Sequence, residues 1–342
     1  MLKNISILLS GIVLISACDS GKAPIKENAL KPAVITEQVG HDTDDPAIWI
    51  NPADSMKSLI IGTDKDTDGG LYAFDLEGKI VKKVPGLKRP NNVDIAYGLL
   101  LNGAPVDIAV LTERETNRIR IFSLPDLLPL DNGGIEVFTG ETERDPMGIA
   151  LYKRPSDSAI FAIVGRKSGP VENYLWQYRL EDDGKGAVKA ALVRKFGQYS
   201  GKKEIEAIAV DNQLGYVYCS DETVGIRKYK ADPDQQDNTE LAHFGKEGFV
   251  SDHEGISIYP LTDSTGYILV SNQQNNTFMV YPREGNEHPL LAEVPVSTIE
   301  SDGSEVTAVP LGSKFPQGLF VAMSNGKVFH YYSWKDIADQ IR

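Results

Sequence analysis

From about residue 40 onward the chain alternates short apolar runs with Gly, Asn, Asp and Pro, and a helical period appears only at its end, Trp334 to Arg342. The body is therefore expected to be all-β. A unit recurs within it. Six segments open on a polar or acidic residue and turn apolar: Asp44 to Ile48, Asn91 to Ile95, Asp145 to Ile149, Glu204 to Ile208, Asp252 to Ile256 and Asp302 to Val306. Each is followed by a second strand (Leu59–Thr63, Val106–Thr112, Ala159–Val164, Tyr216–Ser220, Tyr267–Ser271, Gly318–Met323). An amphipathic third strand comes next (Gly70–Leu76, Arg118–Phe122, Tyr174–Leu180, Gly225–Lys230, Thr277–Tyr281, Lys327–Tyr332). The spacing, roughly 45 to 60 residues, suits propeller blades. One such sheet cannot bury both faces alone, whereas six closed into a ring cover one another. A β-sandwich would not produce six matched units, so the pattern predicts a six-bladed β-propeller.

The 342 residues carry a formal net charge of -13. An acidic surface repels nucleic-acid phosphates, which argues against a nucleic-acid partner, and any polyanion would have to be met by a local cation. The start, Met1-Leu2-Lys3-Asn4 followed by the apolar run Ile5 to Ile15, is too short to span a bilayer and reads as an export signal. Ile15-Ser16-Ala17-Cys18 resembles a bacterial lipobox, with Cys18 as the lipidated residue. An ordinary signal peptide with an incidental cysteine is the plainer alternative. The expected organisation is a signal over 1–18, a flexible tether over 19–38 and the propeller over 39–342, exported and held to the cell envelope only by its lipid. Cys219, within the apolar Gly215 to Cys219 pattern, is expected to be a buried packing residue.

In a propeller the starts of the innermost strands converge at one mouth. Five of the six openings are acidic and the other offers Asn91, so the ring would repel itself unless cations intervened. An oxygen-only set without thiolates or paired histidines fits calcium or magnesium, and several carboxylates from different strands favour calcium. Each such acid taken alone is more often a strand or turn cap on a solvated face. Lys65, Arg114 and Lys167 follow the second strands of the first three blades and are expected on the same rim. Singly they are ordinary surface residues; together, beside a metal cluster, they would receive multiply charged phosphate.

Asp44-Asp45-Pro46-Ala47-Ile48-Trp49, Leu76-Glu77-Gly78-Lys79, Asn91-Asn92-Val93-Asp94, Asp252-His253-Glu254-Gly255 and Phe315-Pro316-Gln317-Gly318-Leu319-Phe320 resemble the β-propeller phytases, in order, over nearly the whole mature chain. That resemblance implies a calcium-dependent phosphomonoester hydrolase, 3-phytase-like, that releases phosphate from phytate (myo-inositol hexakisphosphate) by metal-activated water. It assigns calcium to Asp44, Asp45, Glu206, Glu222, Asp252 and Glu254, and to a further loop at Asn91 and Val93. Asp302 and Glu305 are what remains of an acidic loop that is shortened over Val296 to Glu305, and Asp302 is counted with the metal ligands. Phosphate contacts fall to Lys65, Arg114 and Lys167, and catalysis to these three cations with Glu206, Glu222 and Glu254. The expected partners are several Ca2+ ions and an inositol phosphate, with the protein a monomer.

Met147 stands where most members of that family carry a Tyr beside the substrate, and Ser168 where several carry an acid. Ser324-Asn325-Gly326-Lys327 lacks the usual ligand. These departures imply weaker dependence of stability on calcium. They also keep two rivals open: a calcium-dependent hydrolase of another phosphoester, and a non-catalytic lipid-anchored binding propeller. Asp64 to Gly69 looks like the start of an EF-hand, but strands flank it and it reads as a hairpin turn with solvated acids. His253 is read as a strand residue turned away from its acidic neighbours.

Overall fold

The computed structural model describes residues 23–235 and 237–341. The expectations placed on the signal at 1–18 and on Cys18 lie outside them. The chain forms a six-bladed β-propeller of six four-stranded antiparallel sheets with almost no helix. From the channel outward the first blade is Thr43–Trp49, Leu59–Asp64, Gly69–Phe74 and Ile80–Leu87. The next four repeat that order from innermost strands Pro90–Leu101, Pro146–Lys153, Ile208–Asp211 and His253–Pro260. The sixth contributes Ser304–Thr307, Leu319–Ser324 and Val328–Ser333. Each innermost strand touches those of both neighbours, and the first touches the sixth, so the ring is closed.

The sixth blade is completed by Val34–Ile35, which pair with Tyr331 and His330. Within the stretch expected as a flexible tether, Val34–Ile35 thus form the outer strand of the sixth blade. An uncovered outer strand would expose a row of unpaired backbone groups, and the N-terminal segment fills them. Upstream, Leu30 N–H donates to Pro295 O and Asn276 Nδ2 donates to Ala23 O at 2.8 Å.

Apolar alternation closes the ring. Six buried clusters occupy the six seams between blades; one joins Ile60, Tyr72 and Phe74 of the first blade to Leu319, Val321 and Phe329 of the sixth. Cys219 is free and buried in the seam between the third and fourth blades, where burial pushes its thiol pKa up. The closing helix is Trp334–Ala338, anchored by Trp334 stacked on Tyr259 at 3.6 Å. At two points near the channel the blades approach too closely for a side chain. A β-carbon at Gly148 would lie 1.9 Å from Glu206 O, and one at Gly303 would lie 2.3 Å from Asp45 Oδ1.

Candidate active site

Antiparallel pairing sends two kinds of segment to one rim: the starts of the innermost strands and the turns after the second strands. Those turns begin with Lys65, Arg114, Lys167, Glu222, Gln273 and Asn325, one per blade. Four innermost strands carry a bulge at that end, between Thr43 and Pro46, Pro90 and Val93, Pro146 and Ile149, and His253 and Ile256. A bulge re-aims the side chains around it. In the first blade it turns Asp44 to the rim and Asp45 into the channel.

Two triads of carboxylates meet on the rim. Glu204, Glu206 and Glu222 bring ligand oxygens within 4.8 Å of one another, as do Glu222, Asp252 and Glu254, so Glu222 belongs to both. Oε1 of Glu206, Oε1 of Glu222 and Oε2 of Glu254 are buried with no hydrogen-bond partner. Buried, partnerless carboxylate oxygens are costly and call for a proton or a cation. Burial, reinforced by neighbouring acids, raises the pKa of Glu206 and Glu254 well above the carboxylate range and that of Glu222 to about 7. The donor set is all oxygen, which suits a hard divalent ion, and either triad could hold one.

Three ammonium groups interleave with these acids. Lys65 Nζ lies 2.5 Å from Asp44 Oδ1 and 2.7 Å from Asp302 Oδ2. Burial works against its charge, but Asp44, Asp302 and Glu206 outweigh burial and hold its pKa above the usual lysine range. Asp302, mainly through burial, is raised to about 6 and also accepts from Gln273 Nε2. Lys167 Nζ meets Glu204 Oε2 at 2.8 Å. Lys203 Nζ stands 2.9 Å from Glu222 Oε2 and 2.7 Å from Asp252 Oδ2, while Gln274 Nε2 donates to Asp252 Oδ2 at 2.7 Å.

The structure thus gathers Asp44, Glu206, Glu222, Asp252, Glu254, Asp302, Lys65 and Lys167. Asn91 joins them through a 3.4 Å hydrogen bond from Nδ2 to Asp44 Oδ2. Arg114 lies on the same rim, but its guanidinium has no hydrogen bond or ion pair among the described residues. Asp45 is elsewhere: it lines a channel cavity of about 90 Å³ with Asn92, Asp94 and Glu305 and accepts the Val93 N–H at 3.0 Å. Val93 therefore engages Asp45, not the triads. The acid that opens the third blade, Asp145, is exposed and offers only its backbone carbonyl, to Lys167 N–H. Met147, 1% exposed, is buried and carries a thioether where a hydroxyl could have donated.

Asp64 is not solvated as expected. It is buried and accepts the N–H groups of His41 and Asp42, fixing the segment that leads into Asp44. His253 turns away from the acids as expected, with Nε2 2.7 Å from Gly245 O and its ring on Phe249. Sequence reasoning placed Glu204 at a blade opening without naming it a ligand, and it missed Lys203 and Gln273 as site residues. Counting two positions past the second strands drawn from the sequence, which reaches Lys65, Arg114 and Glu222, would also have reached Gln273; nothing comparable marks Lys203.

A family model described as phytase matches residues 4–341. The 3-phytase of Bacillus subtilis (strain 168) is 30% identical over 322 residues, covering 87% of this chain and 81% of its own length. Two solved structures are similar only loosely. The Dos1 propeller is 14% identical, with a TM-score of 0.43 over 85% of this chain and 68% of its own. BBS1N in complex with ARL6DN is 13% identical, with a TM-score of 0.48 over 88% and 78%.

Proposed function

The chain belongs to the phytase family and is a phosphatase of that type, and from this premise we propose that it releases phosphate from phytate with calcium held in the rim triads. The observation that carries the reading is the meeting of two carboxylate triads, buried except for the half-buried Glu204, with Lys65 and Lys167 on one rim. A surface meant only to dock a protein has no need of orphaned carboxylate oxygens beside cations.

Glu204, Glu206 and Glu222 would hold one ion and Glu222, Asp252 and Glu254 another, with Asp44 and Asp302 at the edge of the same cluster. Bound calcium supplies Lewis acidity toward a phosphoryl oxygen and lowers the pKa of nearby water. The protein's own cations do the rest. Arg114 keeps its donors free for a phosphate, in the fork geometry that suits two phosphate oxygens. Lys167, 44% exposed, can turn from Glu204 to an incoming phosphate. Lys65, fixed between Asp44 and Asp302, stays as a positive point beside the equatorial oxygens, where negative charge grows during in-line attack.

The substrate could instead be another phosphorylated sugar, because Met147 is buried and offers no hydroxyl to the rim. The test is phosphate release from myo-inositol hexakisphosphate and from a panel of sugar monophosphates, with calcium and with chelator. Calcium-dependent release from phytate supports the proposal; release from the panel alone moves the substrate, and release unaffected by chelator removes the metal.

The protein is further proposed to work as a monomer, exported and anchored through Cys18. Ala23 already sits on the catalytic rim, against Asn276 in the turn that bears Gln273 and Gln274. Five extended residues reach at most about 18 Å, so an anchor at Cys18 would hold the mouth near the bilayer surface.

A further inference from the structure

Lys203 lies in the segment leading into the innermost strand of the fourth blade, and its ammonium reaches across to the fifth. It stands between Glu222, which is fully buried, and Asp252, which is 6% exposed, at 2.9 and 2.7 Å. These are two of the three members of the second triad. The ammonium therefore sits on the oxygens that a divalent ion would need. It differs in this from Lys65, whose side chain is enclosed at 16% exposure between Asp44 and Asp302. The Lys203 side chain is 44% exposed, so it has open space into which to withdraw.

We propose that Lys203 is a tethered counter-ion, filling the cation position between Glu222 and Asp252 while the metal is absent and leaving it when the metal binds, and so setting the affinity of this triad. The proposal rests on the reading of the triad as a metal site. Two buried carboxylates without a counter-ion are strained by mutual repulsion and lost hydration. An ammonium on the same chain relieves that strain at a high effective concentration. A free monovalent ion brings no more charge and no tether, so it does not displace the lysine. A divalent ion brings twice the charge and also reaches Glu254, and it does. The triad is thereby kept paired in a salt solution yet open to calcium, with its affinity lowered by the two ion pairs that binding must break.

The test is calorimetric titration of the full-length protein with calcium chloride, alongside Lys203→Met, Lys203→Arg and Lys202→Met. Lys202 is an exposed neighbour whose loss changes the net charge equally without touching the triad. Lys203→Met is expected to bind calcium about tenfold tighter, Lys203→Arg to stay near wild type, and Lys202→Met to shift by less than about twofold. In chelator Lys203→Met should melt below wild type, and in excess calcium the two should coincide. If Lys203→Met binds no tighter than Lys202→Met, or more weakly, the counter-ion role is overturned while the metal site stands. If wild type and variants alike fail to bind calcium, the metal reading falls and the inference falls with it.

Discussion

Two groups of buried and half-buried carboxylates, one on the rim and one in the channel, are treated differently. On the rim, Asp44, Glu222, Asp252 and Asp302 are met by the ammonium groups of Lys65 and Lys203, and oxygens of Glu206, Glu222 and Glu254 are left without partners. In the channel, Asp45, Asp94 and Glu305 have no cation among the lining residues and are met by backbone amides. Val93 N–H donates to Asp45, Leu151 and Ile95 N–H donate to Asp94 at 2.6 Å, and Val306 N–H donates to Glu305 at 2.6 Å. Backbone donors belong to the sheet and cannot leave. Side-chain cations can. The rim is thus a place where positive charge can be exchanged, and the channel is a place where negative charge is held by fixed donors or neutralised by protons.

The difference is broken most severely by Glu206→Gln. Glu206 is buried, belongs to the first triad and carries an orphaned oxygen, and the amide keeps its shape while removing the charge. Calcium-dependent phosphate release is expected to fall about 100-fold or more, with the circular dichroism spectrum unchanged. A variant that turns over like wild type would show that the exchangeable site lies elsewhere.

The same exchange in the channel, Glu305→Gln, should spare turnover and act on stability through pH. Burial, with the charge of Asp94 adding to it, raises Glu305 to about 8, and burial alone raises Asp94 to about 6. A carboxyl whose folded pKa is raised holds its proton when the unfolded chain has lost it, so its contribution is present below about pH 4.5 and is lost as pH rises toward 8. Across that window wild type should lose about 1.4 kcal/mol per pH unit more than the variant. Urea unfolding at pH 5, 6.5 and 8 reads the slope directly. Parallel slopes would mean that Glu305 is already ionised, with a cation in the channel.

Much of this was legible before the structure. Six openings at matched intervals carry the ring, because each blade must bury the face of the next, and the acids at those openings stand out because their position repeats. Strand starts were less legible. Glu204 to Ala207 precede the strand that begins at Ile208, since the channel-side residues there serve the rim and not the ladder. Val34 and Ile35 pair over two residues, too few to leave a period. Lys203 was invisible because its role depends on reach from the fourth blade to the fifth. Arg114 looks like Lys65 and Lys167 in the sequence, yet it alone is left without a partner in the structure.

The smallest effect expected is that of chelator on melting. If calcium were the chief counter-charge of the rim, its removal would leave several buried carboxylates opposed and the ring weakened. Here Lys65 and Lys203 remain between Asp44 and Asp302 and between Glu222 and Asp252, and Glu206 and Glu254 can keep protons. The ring itself closes on six apolar seams and on the pairing of Val34 and Ile35 with the last strand, none of which involves the rim. At about 2–4 °C per kcal/mol for a domain of this order of size, the melting temperature with chelator should lie within about 5 °C of that with calcium. A loss of about 15 °C or more in calorimetry would show that the lysines do not substitute for the metal, and that calcium holds the blades together as well as serving the rim.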